Sequence, residues 1–145
     1  MENLEQSCIF CSIVAGDVPS EVVYQDEQVV AIKDANPQAP IHVLLITREH
    51  NLESLNDASK LDVTLLGHLL YTAAKVANQF DIAESGYRVV INNGEAAGQS
   101  VPHLHVHVVP RRRGDGLRGF FWPRGRYAGP EEMEDVRRRI AAAAR

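Results

Sequence analysis

The chain has no apolar run long enough to cross a bilayer, so no transmembrane helix is expected. It has no excess of positive charge either: 15 Lys and Arg stand against 19 Asp and Glu, a formal net charge of −4. That balance argues against nucleic acid held by bulk charge, whereas a small phosphorylated ligand needs only a few local groups. Residues 1–5 are acidic and polar, which is not the pattern of a secretory signal. A cytoplasmic location is therefore expected. Cysteine is scarce, Cys8 and Cys11 being the two in the chain. Thiols stay reduced in the cytoplasm, so no structural disulfide is expected between them. Internal repeats and low-complexity linkers are absent.

What is present suits one domain over residues 1–145. The 145 residues are 45% apolar, enough for a single core. Residues 8–15 read as a short helix or turn closed by Gly16. Residues 21–25 and 29–33 read as two strands joined at Asp26 and Glu27. The prolines of 36–40 mark a loop. Residues 41–47 form an apolar strand with His42 as its ionisable side chain. Leu61, Leu65, Leu66, Leu69, Leu70, Ala73, Ala77 and Phe80 recur at helical spacing and predict a helix over 60–80. Asn56 or Asp57 is the expected cap. Residues 87–91 form a strand, 92–98 a turn, and 103–109 a strand stopped by Pro110. A C-terminal helix over about 130–144 has acid at its start and base towards its end, which complements the helix dipole. This is an α+β count: about five strands with two or three helices.

The strand at 103–109 alternates histidine with aliphatics. Side chains alternate faces along a strand, so His103, His105 and His107 point one way and Leu104, Val106 and Val108 the other. Neighbouring histidines then sit roughly 6.6 Å apart. Imidazole can serve as nucleophile, general acid or base, or metal ligand. An ordinary solvated face and a three-histidine metal site are the competing readings.

The stretch Gly98-Gln99-Ser100-Val101-Pro102-His103-Leu104-His105-Val106-His107-Val108-Val109 resembles the signature of the histidine-triad (HIT) superfamily. Residues 34–42 look like that family's ribose-binding strand and loop, and Asn92 with Gly94 like its nucleotide-binding turn. The segment around Trp122 is similar to the C-terminal part of the Hint-like branch, whose members hydrolyse adenosine phosphoramidates. The resemblance spans most of residues 8–125. It implies a HIT-like fold: a five-stranded antiparallel sheet, one long helix and short terminal helices. It also implies a homodimer in which Trp122 reaches the partner's site.

Carried over by residue, the resemblance makes His105 the nucleophile that attacks the α-phosphorus of a purine nucleoside 5′-phosphate derivative. His107 contacts the phosphate, and His42 and His103 support the nucleophile. Gln99 and Ser100 face the phosphate and leaving group, Asn92 lies in the nucleotide-binding turn, and Asp34 binds the ribose. The base occupies an apolar slot near Ile9, Phe10, Ile13 and Ile32. Three features depart from the pattern. Pro102 stands where an aromatic often precedes the triad. Ile32 and Ala35 are smaller than the residues often lining the base pocket, which leaves purine preference open. Arg111, Arg112 and Arg113 read as a solvated basic cluster.

Cys8-Ile9-Phe10-Cys11 is a C-x-x-C pair, half of a zinc site when taken alone. A redox pair and two buried free thiols are the alternatives. A closed tetrahedral zinc site needs two more nitrogen or sulfur ligands, and His50 after the third strand is a candidate. The HIT resemblance implies Cys8, Cys11, His50 and His103 as a structural zinc set, with no catalytic metal. The function so expected is hydrolysis of adenosine 5′-phosphoramidate or related conjugates through a nucleotidyl-histidine intermediate. A dinucleoside polyphosphate hydrolase and a non-enzymatic nucleotide-binding regulatory protein are the other two readings.

Overall fold

The computed structural model describes residues 8–37, 41–50, 52–57, 60, 62–116 and 125–144. Trp122, Leu61 and residues 38–40 lie outside them. Two compact units emerge, residues 1–113 and 114–145.

In the first unit, α1 (Ile9–Val14) is followed by β1 (Val22–Gln25), β2 (Val29–Lys33), β3 (Val43–Thr47), α2 (Val63–Gln79), β4 (Tyr87–Val90) and β5 (His105–Pro110). The five strands make one antiparallel sheet in the order β1-β2-β3-β5-β4. The second unit contains α3 (Pro130–Ala143), with Pro130 at its start and Glu131 and Glu132 in its first turn. Among the described residues no helix is long and apolar enough to cross a membrane.

The period-2 alternation of β2, β3 and β5 divides the first unit into two cores. Val29, Ala31, Val43, Leu45, Val106 and Val108 pack with Leu69, Ala73 and Val76 of α2. Val30, Ile32, Leu44 and Ile46 face the other way, against Cys8 and Phe10. In register, Ile46 pairs with His105 and Leu44 with His107, so these two imidazoles stand on the α1 face of the sheet. Val106 between them is fully buried in the α2 core. Replacing such a valine with a polar residue would cost several kcal/mol, the sum of a lost apolar contact and an unsatisfied buried group.

Several sequence expectations shift at their boundaries. The helix of 60–80 runs from Val63 to Gln79 and is capped by Asp62, whose carboxylate accepts from the Thr64 N–H at 2.8 Å. Asn56 and Asp57 are not its cap. Asp57 instead closes its own turn, accepting from the Glu53 N–H at 2.8 Å. Leu70 is 53% exposed rather than part of the buried face. The third strand starts at Val43, leaving His42 just ahead of it. The fifth starts at His105, so His103 precedes the strand and strict alternation does not place it. Pro110 is the last residue of β5, opposite Tyr87.

Candidate active site and metal centre

The end of β3, the start of β5 and the N-terminal turn of α1 converge on the four cysteine and histidine side chains. Cys8 precedes α1 and Cys11 lies within it, one turn apart. Cys8 Sγ is 3.4 Å from His103 Nδ1. Cys11 Sγ is 3.2 Å from His50 Nδ1 and 3.6 Å from His103 Nδ1. The two imidazoles stack with centroids 4.5 Å apart. All four donor atoms lie within 4.8 Å of one another.

The outer nitrogens of both rings meet backbone carbonyls, which can only accept. His103 Nε2 is 2.7 Å from the Thr47 carbonyl, and His50 Nε2 is 2.7 Å from the Pro102 carbonyl. Each Nε2 therefore carries the hydrogen, and each Nδ1 offers its lone pair to the sulfurs. This is how second-partner hydrogen bonds orient histidine ligands. Two thiols and two such nitrogens make a tetrahedral S₂N₂ set that fits zinc. The four side chains would hold the ion with no protein position left open, and bound zinc would supply a cross-link between α1, the end of β3 and the approach to β5.

His105 follows at the start of β5. Its Nδ1 is 2.7 Å from the His103 carbonyl, so Nδ1–H donates there and Nε2 is left as the basic nitrogen. Phe10 packs its ring against His105, with centroids 4.9 Å apart and planes at 72°. Burial holds the His105 imidazole below its ordinary range; the bond to the His103 carbonyl and the Asp34 charge oppose that. A neutral, oriented imidazole with a free lone pair is competent as a nucleophile.

His107 stands two residues on, 5.0 Å from His105 between ring centroids. Its Nδ1 is 2.9 Å from His42 Nε2, and that same His42 nitrogen is 3.4 Å from Asp34 Oδ2. A carboxylate favours the hydrogen on His42 Nε2. His107 Nδ1 then accepts, and His107 Nε2–H becomes a donor. Burial pushes the His107 pKa down to about 4 and also lowers that of His42. Asp34 Oδ1 accepts from the Asn36 N–H at 2.8 Å, an Asx turn that sets the loop after β2.

The remaining sequence candidates separate into two groups. Gln99 is occupied within its loop: Oε1 accepts from the Gly94 N–H at 2.9 Å, while Nε2 donates to the Glu53 and Val101 carbonyls. Gly94 and Gly98 both have positive φ, 92° and 95°, which this turn requires. Ser100 is exposed and Asn92 half-buried. Of the apolar slot, Phe10 and Ile32 belong to the core, Ile13 packs partly against it, and Ile9 is 44% exposed.

Three features escaped the sequence reading. Asn93 ties this loop to the 52–57 turn by accepting the Leu55 N–H at 2.8 Å. A cavity of about 430 Å³ lies between residues 19–21 and 33–37, reaching Asp34 and His42. At its wall Lys33 and Glu21 form an ion pair of 2.8 Å. The pairing of Val22 with Ile32 in a two-strand hairpin was the available signal, since it brings 21 and 33 together across the strands.

Comparison with known proteins agrees with this geometry. The HIT domain family model matches residues 15–114. A 14 kDa zinc-binding protein of Zea mays is 46% identical over 118 residues, covering 81% of this chain and 87% of that protein. The purine nucleoside phosphoramidase of Escherichia coli is 39% identical over 109 residues, covering 75% of this chain and 91% of that one. Among solved structures, a HIT family hydrolase from Clostridium thermocellum superposes with a TM-score of 0.70 at 39% identity, over 82% of this chain and 96% of the other. On these matches, and with His103, His105 and His107 arranged as described, the chain belongs to the HIT domain family.

Proposed function

We propose that this HIT-family hydrolase cleaves adenosine 5′-phosphoramidate or a related purine nucleoside 5′-monophosphate conjugate through a nucleotidyl-histidine intermediate. The observation that carries the reading is the 2.7 Å contact of His105 Nδ1 with the His103 carbonyl, which leaves Nε2 as the reactive lone pair. His105 Nε2 attacks the α-phosphorus, a P–Nε2 bond forms, and the bond to the leaving amine breaks. The amine takes up a proton as it departs. Water then attacks the same phosphorus, the P–Nε2 bond breaks, and the nucleoside monophosphate leaves with His105 neutral again.

His107, donating from Nε2, supports charge that develops on the phosphate oxygens. Asp34 faces the ribose hydroxyls with the carboxylate edge that is not engaged by its Asx turn. Gln99 acts by shaping the loop rather than by touching phosphate, since its amide is engaged there, and the exposed Ser100 is the group of that pair available to the leaving side. Asn92 and the Ile9–Ile13 edge of α1 complete the nucleotide surface, with Phe10 and Ile32 behind it. Zinc held by Cys8, Cys11, His50 and His103 is structural. The chain acts as a homodimer in the cytoplasm.

The direct test is chemical trapping. Wild-type protein mixed with adenosine 5′-phosphoramidate and quenched in alkali should carry an adenylyl mass increment on the peptide containing His105. His105→Ala should not. A wild-type protein that binds nucleotide yet never acquires the increment would favour the non-enzymatic reading.

A further inference from the structure

Asp34, His42 and His107 bring three donor groups together beside the nucleophile. One ligand atom from each of the three residues lies within 4.8 Å of the others. The His42–His107 separation is 2.9 Å and the His42–Asp34 separation 3.4 Å. An ion bound at about 2.1 Å, with ligand angles between tetrahedral and octahedral, holds its donor atoms roughly 3.0–3.4 Å apart. The His42–His107 and His42–Asp34 separations already stand close to that spacing.

Their positions are set by rigid backbone. The Asp34 N–H donates to the His42 carbonyl at 2.8 Å, and His107 sits opposite Leu44 in the β3–β5 ladder. His42 is only 4% exposed. The set shares no residue with the Cys8, Cys11, His50 and His103 cluster and contains no sulfur.

We propose that Asp34, His42 and His107 form a second metal site, selective for a borderline divalent ion such as Zn²⁺ or Co²⁺. Two imidazoles and one carboxylate disfavour Mg²⁺ and Ca²⁺, which prefer oxygen ligands, and the absence of thiolate disfavours soft ions. Three protein ligands leave open positions for water. Binding replaces the His42–His107 hydrogen bond: the hydrogen leaves His42 Nε2 and one is taken up at Nδ1, so the neutral imidazole changes tautomer with no net proton released. The consequence for activity rests on the nucleotide reading given above. The ion takes the Asp34 carboxylate from the ribose and clamps His107, so Zn²⁺ inhibits by competing with nucleotide.

The test uses the full chain carrying one equivalent of zinc. Further Zn²⁺ is added calorimetrically in two buffers of different ionisation enthalpy, and Co²⁺ is followed by absorption. The expected result is a second equivalent whose enthalpy is the same in both buffers, since no net proton is released. For Co²⁺, weak visible bands should appear without a thiolate charge-transfer band. Asp34→Ala and His107→Ala should each weaken the second equivalent at least about tenfold. Both should retain the first equivalent, which reports in the same sample that the variant has folded. No second equivalent in wild type, or one that survives both substitutions, overturns the site. A second equivalent that adenosine 5′-monophosphate fails to displace supports the metal site and counts against the nucleotide reading. Nucleotide binding without a second equivalent removes the metal site alone.

Discussion

His105 Nδ1 lies 2.7 Å from the carbonyl oxygen of His103, so one histidine of the triad fixes the tautomer of the next through its backbone. The side chain of His103 is meanwhile turned away, its Nδ1 facing Cys8 and its Nε2 the Thr47 carbonyl. Because the contact uses backbone, changing the His103 side chain leaves the hydrogen-bond acceptor in place, whereas changing His105 removes the reactive nitrogen. His105→Ala should lower phosphoramidate turnover by about 10⁴-fold or more, the scale seen when a nucleophile is deleted. Nucleotide affinity should change by no more than a few-fold. Steady-state turnover together with calorimetric titration of adenosine 5′-monophosphate reads both; a His105→Ala protein with near-normal turnover would end the assignment.

Removing the metal should act on the fold before it acts on the chemistry. Cys8→Ser takes one thiolate from the S₂N₂ set and leaves His103 Nδ1 facing a weaker ligand. Zinc measured by elemental analysis should fall from about one equivalent per chain towards zero. The melting temperature should drop by roughly 10 °C or more, because structural zinc affinity is folding free energy. Turnover per folded molecule should change little at temperatures where the variant remains folded. Loss of turnover in a chelated but folded sample would show instead that the ion takes part in the reaction.

The parts of this site that were legible from sequence are those set by local periodicity. The alternation of His105, Val106 and His107 placed both imidazoles on one face, and the register with Ile46 and Leu44 agrees. His103 was assigned to the same strand, but it lies before β5, and its placement comes from Thr47, Cys8 and Cys11, all far away in sequence. The cap of α2 was misplaced for a related reason. Asn56 and Asp57 have the composition of caps, but Asp57 closes a turn of its own, and Asp62 is the residue with extended backbone before the first helical turn. Gln99 carried a phosphate role by resemblance, while its contacts to Gly94, Glu53 and Val101 depend on a loop that no short window encodes.

Stability should fall on mild acidification, and His107 sets the window. Its ordinary pKa of 6.5 is depressed to about 4, first by burial and then by His105 and His42, with Asp34 opposing. Those three are the titratable groups that face it. An unfolded chain takes up this proton near 6.5, but the folded chain does not until about 4. The unfolded state therefore holds more protons in between. The stabilisation is full above 6.5 and is lost as pH falls towards 4. After allowance for solvent screening, the amount is on the order of 1–2 kcal/mol. Urea unfolding at pH 7 and pH 5, on protein carrying one equivalent of zinc and no excess, should show wild type losing this much more than His107→Asn. Equal losses would mean that His107 is already protonated in the folded state at pH 5. Because both proteins keep the Cys8, Cys11, His50 and His103 set and no further zinc is present to reach His107, the pH dependence of zinc binding cancels in the comparison.

A second polar cluster, far in sequence from the triad, should matter to stability alone. Asp26 sits in the β1–β2 turn, where Oδ1 accepts from the Gln28 and Val29 N–H groups at 2.8 and 2.9 Å. Its Oδ2 accepts from Tyr24 Oη at 2.9 Å and lies 2.6 Å from His68 Nε2 on α2. One carboxylate thus closes the hairpin and fastens it to the long helix. Burial disfavours the charge, but these four donors outweigh it, and the Asp26 pKa is driven far below its ordinary 3.8. The depressed carboxylate contributes stability above pH 3.8 that is lost at lower pH, a window separate from that of His107. Asp26→Ala removes all four contacts and should cost about 2–4 kcal/mol, whereas His68→Ala removes one partly exposed contact and should cost about 0.5–1.5 kcal/mol. Urea midpoints measure both. If His68→Ala proved as damaging as Asp26→Ala, the link to α2 rather than the closure of the turn would be the main contribution of Asp26. Turnover at 25 °C should remain within about twofold of wild type for His68→Ala, since neither residue touches Asp34, His42 or the triad by any of these bonds.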